Sequence, residues 1–348
     1  MKIKIALLIL PITSIILTGC TRGRDAGIFR STDGGETYVA SSTLDQERSL
    51  ASRQIESLAS HPARPQTVFA GVVDGGVVIS ADGGQAWTST SLQQGTTRDI
   101  AIHPQNVSTV YFAFEQQVIR TTDDGQTFQT LYSDPSLIAT IALDPASPAN
   151  IWAGTQTGQV LHSANEGLSW SVAASFGSGV TDILISPLGS AILVGTEDDG
   201  VAVSADRGVT FSDRTPTREA LPVLTDDVNL VVALAQSEQP ASPMWAATDQ
   251  GLFSSNDLGR TWTIVSNPLS EAGVALGELI VAADSNIDVL ITANNTIAKS
   301  RDGGSTWISR AVPTERVVGA VTFIDAQTIV AGVSGEAEGF ISRTLRRD

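Results

Sequence analysis

The stretch Ser-Asn-Asp-Leu-Gly-Arg-Thr-Trp at residues 255–262 decides the fold, because versions of it recur along the chain. Each copy, here called a box, has Ser or Thr first, Asp or Asn third, Gly fifth and an aromatic residue eighth. Seven boxes occur, and their third residues are 41 to 51 positions apart. Those third residues are Asp33, Asp82, Asp123, Asn165, Asp206, Asp257 and Asp302. A repeat of this length indicates an architecture of stacked or ring-arranged units.

The residue types of the box indicate a tight turn that leads into a strand. Gly at the fifth position allows the positive φ that such turns need. The short acid can accept hydrogen bonds from backbone N–H groups of its own turn. The aromatic residue can bury a large apolar area at the start of the next strand. We therefore predict a structural role, and no catalytic role, for the third residue of all seven boxes.

Between boxes the chain repeats an apolar segment, a turn that contains Pro, and a second apolar segment. These segments have strand length and are bounded by turn residues. His61 and His103 share a position of this repeat with Asp144 and Ser186, so they are predicted in different units and not as a metal pair. The pairs of segments are 57–61 with 67–71, 99–103 with 109–114, 140–144 with 150–154, and 182–186 with 191–195.

Four strands in each repeat of this length predict an all-β fold, a seven-bladed β-propeller of four-stranded antiparallel blades. Segments 317–324 and 328–333 resemble inner strands but have no complete box after them. We expect them to pair with residues 27–42, which would close the ring with strands from both termini. Residues 340–343 resemble 28–31 and are an expected extra edge strand. An eight-bladed ring is the alternative.

The boxes resemble the Asp box, or bacterial neuraminidase repeat. This repeat is found in sialidases, sortilin-type receptors, xyloglucan hydrolases and photosystem II assembly factors. The resemblance implies that the boxes join the third and fourth strands of propeller blades, away from any active site. The photosystem assembly factors are the most similar in layout, since they are single propellers. Their resemblance also implies a basic patch, which this acidic chain does not share.

The first twenty residues read as a targeting segment. Lys2 and Lys4 precede an apolar run from Ile5 to Leu17, which has the length of a signal peptide core. The run ends in Leu17-Thr18-Gly19-Cys20, which resembles the lipobox of bacterial lipoproteins. The resemblance implies cleavage before Cys20 and a lipid on its thiol, leaving an exported protein anchored at the outside of the cell membrane or to the outer membrane. The predicted division is a signal peptide at 1–20 and one propeller at 21–348.

Composition limits the partners. The net charge of −16 repels phosphate backbones, so nucleic acid is not an expected partner. Cys20 is the single cysteine, and once acylated it leaves no thiol for a disulfide. The sequence indicates no metal site and no cofactor, and a monomer is expected.

The face opposite the boxes carries the blade-to-blade loops and the turns between second and third strands, and long loops of this kind often carry function. The longest such loop is predicted at residues 212–227. We predict that a ligand binds among the charged residues of this loop face. Those assigned to second-to-third turns are Asp74, Glu115, Glu197, Asp198, Asp199 and Asp249, and those assigned to blade-to-blade loops are Arg53, Arg98, Arg214, Arg218 and Arg316.

Two functions fit these features. A sialidase needs an arginine triad and a tyrosine nucleophile. The three tyrosines here lie in a box, a strand and a loop, so the sequence does not favour a sialidase. Other glycoside hydrolysis needs two suitably separated carboxylates, which the acidic turns could supply. We predict a membrane-tethered, noncatalytic scaffold that binds a protein, peptide or glycan on the loop face. A glycoside hydrolase that acts on extracellular glycans is the alternative.

Overall fold

The computed structural model describes residues 27–61, 63–106, 108–212, 230–239, 242–271, 274–282 and 288–336. Their strands form seven antiparallel blades around a central channel and one separate two-stranded hairpin, with almost no helix. This confirms the predicted all-β fold with seven blades, and eight blades are not observed. Within these residues, no helix is long and apolar enough to cross a membrane.

The chain enters the ring in the middle of a blade. Strands β1 (Ile28–Ser31) and β2 (Val39–Ala40) flank the first box, and a small hairpin follows, made of β3 (Thr43–Leu44) and β4 (Arg48–Ser49). Blades 1 to 6 then follow in chain order, each from its innermost strand outward.

Blades 1, 2 and 3 have four strands each. Blade 1 contains β5 (Ile55–His61), β6 (Arg64–Val72), β7 (Gly76–Ser80) and β8 (Thr88–Ser89). Blade 2 contains β9 (Thr97–Ile102), β10 (Val110–Phe114), β11 (Gln117–Thr121) and β12 (Gln129–Ser133). Blade 3 contains β13 (Ile138–Leu143), β14 (Ile151–Thr155), β15 (Gln159–Ser163) and β16 (Ser171–Ser175).

Blades 4, 5 and 6 repeat this plan. Blade 4 contains β17 (Val180–Ile185), β18 (Ile192–Thr196) and β19 (Val201–Ser204), and its outer edge is a single bridge from Val203 to Ser212. Blade 5 contains β20 (Val231–Gln236), β21 (Met244–Thr248), β22 (Gly251–Ser255) and β23 (Thr263–Val265), followed by one helical turn at Pro268–Glu271. Blade 6 contains β24 (Leu279–Val281), β25 (Val289–Ala293), β26 (Thr296–Ser300) and β27 (Ile308–Ala311).

Blade 7 closes the ring from both ends of the chain. Its inner strands are β28 (Arg316–Phe323) and β29 (Ile329–Glu336), and β1 pairs with β29 from Ile28 opposite Gly332 to Ser31 opposite Ile329. Strand β2 then completes the sheet, in the order β28, β29, β1, β2. The expected pairing of terminal strands is confirmed. The expected extra strand at 340–343 lies outside the described residues.

Box turns and Pro turns share one face of the ring, the box face, and the other face is the loop face. In each box the first hydroxyl donates to the third residue and accepts from the N–H of the glycine. In blade 4, for example, Ser204 Oγ lies 2.8 Å from Asp206 Oδ1 and 2.7 Å from the N of Gly208. That glycine has φ +82° and lies against the indole of Trp152 in blade 3. In blades 1 to 6 the box glycine lies in this way against a residue of the preceding blade, so the box packs its blade against the one before it, and the apolar core lies between blades.

Candidate functional site: the channel and its mouth

A ring of seven residues, one from each blade, surrounds the channel where it opens on the loop face. In blades 1 to 5 the pairing of the innermost strand shifts by one residue and leaves one residue unpaired. A β-bulge of this kind re-aims a side chain, here toward the channel. The bulged residues are Glu56, Arg98, Ala139, Thr181 and Val232, and Glu278 of blade 6 and Gly319 of blade 7 complete the ring.

These seven ring residues line a cavity of about 290 Å³, to which Gln156, Val180 and Glu197 also contribute. The ring is divided by chemistry. One side, from blade 6 through blade 7 to blade 2, carries Glu278, Glu56 and Arg98. The other side, from blade 3 to blade 5, carries only small or apolar residues. Such a mixture of apolar walls and a few polar groups is typical of a ligand site.

Arg98 is the cation of the mouth and is only loosely held. Its Nη1 lies 3.9 Å from Glu56 Oε1, beyond hydrogen-bonding distance. Its Nε and the hydroxyl of Thr181 are both buried, and neither has a hydrogen-bond partner among the described residues. A buried donor without an acceptor costs about 1–3 kcal/mol. A ligand that supplied acceptors at the mouth would therefore recover free energy.

Deeper in the channel lie the carboxyls of Asp99 and Asp182, below the ring and in a cavity of about 160 Å³. Each joins its own blade to the next. Asp99 Oδ2 accepts from Thr140 Oγ1 at 2.9 Å and from the N of Ile141 at 2.8 Å. Asp182 Oδ2 accepts from the N of Leu234 at 2.7 Å. The Glu278 carboxyl faces this same cavity.

The surroundings of these three carboxyls disfavour their charged forms. Desolvation, followed by repulsion from Asp99, raises the pKa of Asp182 to about 7. Desolvation, with repulsion from Asp182 and Asp99, raises the pKa of Glu278 to about 8. Burial also raises the pKa of Asp99, although its hydrogen bonds oppose the change. The channel thus holds two carboxyls, those of Asp182 and Glu278, that keep their protons to near neutral pH, and raised pKa values of this kind are common at functional sites.

Of the residues predicted for the loop face, the structure brings Arg98 and Glu197 together at the mouth. The placement of Arg98 in a blade-to-blade loop was wrong, because it is the bulged residue of β9. Arg316 was also wrongly placed in a loop, since it begins β28. It is 9% exposed, and its guanidinium donates to the backbone carbonyls of Ser334 and Arg53, so it fixes the loop before blade 1.

The other predicted residues lie around the rim of the loop face rather than at the mouth. Glu115 has φ +48° and its Oε1 accepts from the N of Thr96, which holds its second-to-third turn against the loop that precedes blade 2. Asp199 accepts from Ser178 in the same way. Arg214 and Arg218 lie outside the described residues. Four predicted residues remain on the rim. Asp249 is half-buried, and the exposed ones are Arg53, Asp74 and Asp198.

Sequence reasoning missed Glu56, Glu278 and the two channel aspartates. A signal for them exists in the repeat. Asp99, Asp182, Ser57, Thr140 and Ala233 each follow a bulged residue, at one equivalent position of the innermost strand. Aligning the inner strands blade by blade would have shown acids at a position where neighbouring blades carry small residues.

The histidine at the blade 2 Pro turn has a local role. His103 Nδ1 accepts from the backbone N–H groups of Gln105 and Asn106. Asp144 accepts from Ala146 and Ser147 at the equivalent turn of blade 3. The described residues contain no cluster of three metal-ligating side chains of the His, Cys, Asp or Glu type.

No protein-family model matches the chain. A curated xyloglucanase from Hypocrea jecorina (strain QM6a) is 28% identical over 192 residues, which are 49% of this chain and 23% of that enzyme. The chain therefore spans about a quarter of the length of this relative.

Solved structures share the fold. The structure of YCF48 bound to a D1 peptide has a TM-score of 0.59 and 14% identity, covering 81% of this chain and 94% of that one. The GH74 xyloglucanase from Xanthomonas campestris has a TM-score of 0.66 and 16% identity, covering 88% of this chain and 52% of that one. At these identities the likeness concerns the fold alone, and the neighbours include both a peptide-binding protein and enzymes.

Proposed function

We propose that this chain is an exported, lipid-anchored and noncatalytic propeller that binds a segment of a protein or peptide at the channel mouth. The observation that carries the proposal is the seven-residue ring, with one charged side and one small or apolar side. An extended segment presents both carbonyl acceptors and N–H donors. Its acceptors would satisfy Arg98 and Thr181, and its donors or cations would pair with Glu56 and Glu278. A complex of YCF48, a propeller of similar fold, with a D1 peptide supports this choice of ligand.

The export and anchor part of the proposal rests on the first twenty residues of the sequence. It is tested by labelling cells that express the protein with a clickable palmitate analogue. The wild type should be labelled and the Cys20→Ser variant should not. Equal labelling of both would show that the proposal of a lipid on Cys20 is wrong and would not affect the binding proposal.

The binding part is tested by a photo-reactive amino acid placed at the mouth, replacing Val232. A matched protein carries the same group at Gln85 on the box face. Cross-linking in cells, followed by mass spectrometry, should give a discrete polypeptide adduct from position 232 and not from position 85. Arg98→Ala should abolish this adduct. If the adduct persists in Arg98→Ala, or if both positions give the same products, the mouth is not the binding site.

Glycoside hydrolysis is the second candidate, favoured by one specific observation. Glu278 and Glu56 lie in the same cavity, and the pKa of Glu278 is raised to about 8 by desolvation and nearby acids. A protonated carboxylic acid near a carboxylate is the arrangement that glycosidases use. Similarity to a xyloglucanase over half of this chain points the same way.

Amide substitutions separate the two functions. The protein is assayed against xyloglucan oligosaccharides and chromogenic glycosides, alongside Glu278→Gln and Glu56→Gln variants. If the protein is a glycosidase, one of these changes should lower turnover by at least about a hundredfold, because it removes the acid or the base. If it is a binding scaffold, no variant and no wild type should show turnover, and cross-linking should weaken in both variants. Turnover that Glu278→Gln abolishes would overturn the noncatalytic proposal.

A further inference from the structure

A cavity separate from the channel lies on the box face, between blades 6 and 7. Its volume is about 180 Å³, and its walls are the first box and the outer strands of blade 6. Lys299 and Tyr38 line it and are more than nine-tenths buried, with 7% and 8% of their surfaces exposed. Polar side chains that are buried in this way normally have hydrogen-bonding or ionic partners. The partners of these two residues therefore show whether the cavity is only a gap in the packing.

Tyr38 brings a hydroxyl without a partner into the cavity. It is the eighth residue of the first box, and no other box has a tyrosine there. In the boxes that have tryptophan at this position, the indole N–H always has a carbonyl acceptor, as found for Trp87, Trp170, Trp262 and Trp307. Within the described residues the Tyr38 hydroxyl has no such bond. A ligand that accepted from it would recover the free energy of a missing hydrogen bond.

Lys299 is a buried cation without a carboxylate. Its Nζ donates to the carbonyl of Ala326 at 3.2 Å and lies 5.2 Å from the ring centre of Phe323. The same carbonyl accepts from Arg301 Nη2 at 3.3 Å, so two cations share one neutral acceptor. In the part of the chain that the structure describes, neither cation forms an ion pair. Since a buried charge is costly unless it is paired, Lys299 lacks an anionic acceptor.

The repeat shows how a cation at this position is otherwise held. Lys299 directly precedes the box of blade 6, and Arg30 and Arg120 directly precede the boxes of blades 7 and 2. Each of these arginines contacts the fourth residue of the next blade's box. Arg30 Nε donates to the carbonyl of Gly83 at 2.7 Å, and Arg120 Nη1 lies 3.9 Å from Glu166 Oε2. Lys299 makes no such contact with the first box, and the cavity lies beside it instead.

Two consecutive glycines of the first box leave room for these donors. A Cβ at Gly34 would lie 2.5 Å from Arg301 Nη2, and a Cβ at Gly35 would lie 3.1 Å from the Tyr38 hydroxyl. Both donors thus lie against the same turn, and Lys299 lines the same cavity. Three donors around one space, two of them charged, are the arrangement that charge-assisted binding of an anion uses.

The acids beside the cavity already have partners. Asp33 accepts from the hydroxyl of Thr37 at 2.5 Å and from the hydroxyl of Ser31 at 2.7 Å. Glu36 forms an ion pair with Arg310 of β27 at 2.6 Å, which joins blade 7 to blade 6. A cationic ligand would therefore find these carboxylates engaged and would lie beside two cations. An anion with a single charge fits better than one with two, because the engaged carboxylates would repel the second charge.

We propose that this cavity binds a small organic acid through its carboxylate. The carboxylate would accept hydrogen bonds from Lys299, Arg301 and the hydroxyl of Tyr38. A short apolar part of the ligand would lie against Ile297 and Ile308, which line the same cavity.

The test follows Tyr38 itself. The chain has three tyrosines, so protein labelled with ¹³C in its tyrosine rings gives three sets of NMR signals, and the set missing from Tyr38→Phe belongs to Tyr38. The full chain in detergent is titrated with sodium butyrate, its neutral analogue butyramide, inorganic phosphate and a tripeptide with a free C-terminus. Butyrate should shift the Tyr38 signals saturably. Butyramide should bind at least about tenfold more weakly, because it lacks the charge that strengthens these hydrogen bonds.

Variants that copy other units of the repeat keep the fold intact. Lys299→Ile and Arg301→Ala should each weaken butyrate binding at least about tenfold, and Tyr38→Phe should weaken it at least about threefold. These variants place at the cavity the residues found at the equivalent positions Ile79, Ala81 and Phe128. Saturation transfer to the butyrate signals measures affinity in every variant, and Tm checks the fold. The control Arg260→Ala changes an exposed arginine of the blade 5 box and should leave binding unchanged.

Several outcomes would overturn the proposal. Butyrate that gives no saturable shift, or whose binding survives in both Lys299→Ile and Arg301→Ala, would show that the cavity is not a carboxylate site. Equal binding of butyramide would show that no charge is recognised. Tighter binding of phosphate, or of the tripeptide, would assign the cavity to a different ligand. The channel mouth lies on the opposite face, so failure of this proposal would leave the function proposed for the mouth unaffected.

Discussion

The pKa values of aspartate side chains are shifted in opposite directions in two regions of this molecule, the boxes and the channel. In the box of blade 4, Asp206 lies at the surface and accepts from the hydroxyl and N–H of Thr210 and from the Ser204 hydroxyl. These hydrogen bonds, led by the Thr210 hydroxyl, lower its pKa to about 2. In the channel, Asp182 also accepts two backbone hydrogen bonds, yet desolvation raises its pKa to about 7.

The contrast teaches that solvent access, more than the number of hydrogen bonds, decides whether a carboxylate here keeps its charge. It also separates the purposes of the two regions. Blade 3 has Asn165 in place of the box aspartate. Its Oδ1 accepts from the Ser163 hydroxyl and from the N–H of Ser169, as in the other boxes, while its Nδ2 donates to the Ser169 hydroxyl. The box therefore needs an acceptor at Oδ1 and not a charge. The channel instead holds carboxyls, those of Asp182 and Glu278, that keep their protons to near neutral pH.

The largest effect is expected where a box anchors the core. Trp262 is 5% exposed, packs with Leu193 and Met244, and donates from Nε1 to the carbonyl of Gly259. Trp262→Ala should lower the free energy of unfolding by roughly 3–5 kcal/mol, as truncation of a large buried aromatic residue does. Chemical denaturation measures this. Trp170→Ala is the matched control, since Trp170 is only half-buried and should cost clearly less.

A smaller effect tests whether the box requires charge. Asp257→Ala should cost about 1 kcal/mol, because it leaves the N–H and hydroxyl of Thr261 without their acceptor while solvent can partly replace it. Asp257→Asn should cost much less, as Asn165 indicates. Equal losses in both variants would mean that the charge itself stabilises the box. Cross-linking at the mouth should be unchanged in either variant.

The pH dependence of stability tests the channel side of the comparison. When folded, Asp182 and Glu278 keep their protons to about pH 7 and 8, whereas the ordinary pKa values of these side chains in an unfolded chain are 3.8 and 4.5. Between these limits the folded state binds more protons, so stability is greatest below about pH 4.5 and falls as pH rises toward 8. Asp206 acts oppositely, since its contribution is present above 3.8 and lost as pH falls through about 2.

Differential scanning calorimetry should therefore show Tm falling by roughly 2–6 °C between pH 5 and pH 8. Asp182→Asn should make this dependence shallower, because the amide cannot ionise and still accepts from the N–H of Leu234, while Glu278 continues to titrate. Asp206→Asn is the control and should leave the slope between pH 5 and pH 8 unchanged. A wild-type Tm that rises over this range would contradict the assignment of raised pKa values to the channel.

Most of the fold could be predicted from the sequence because the conformation of each box is determined by residues close together in the chain. Its glycine, its acid and its aromatic residue each act within a few positions, and the period of the boxes then sets the number of blades. Ring closure could also be predicted, because residues 317–333 supply two inner strands that no box follows, while the first box has no inner strands before it. Residues 28–31, β1, supply the missing partner, as the pairing of Ile28 with Gly332 confirms.

The mouth could not be predicted in the same way, because it depends on bulges. A bulge shifts the alternation of inward and outward residues by one, and no single residue type in the sequence is diagnostic of a bulge. Arg98 was assigned to a loop for that reason, although it lies in β9 and lines the channel. Glu278 likewise acquires its neighbours from blades far apart in sequence, so only the closed ring brings it near Asp99 and Asp182.

The closing strand also has a mechanical consequence. Strand β1 runs from the loop face toward the box face, and four residue pairs join it to β29 while β2 holds its other side. A pull on the residues before Gly27 acts along β1, so all of its hydrogen bonds are sheared together rather than opened one after another. The strand that enters the ring first is thus well suited to resist tension. If the molecule were held by its N-terminus and a partner at the mouth exerted force on it, this pairing would keep the ring closed.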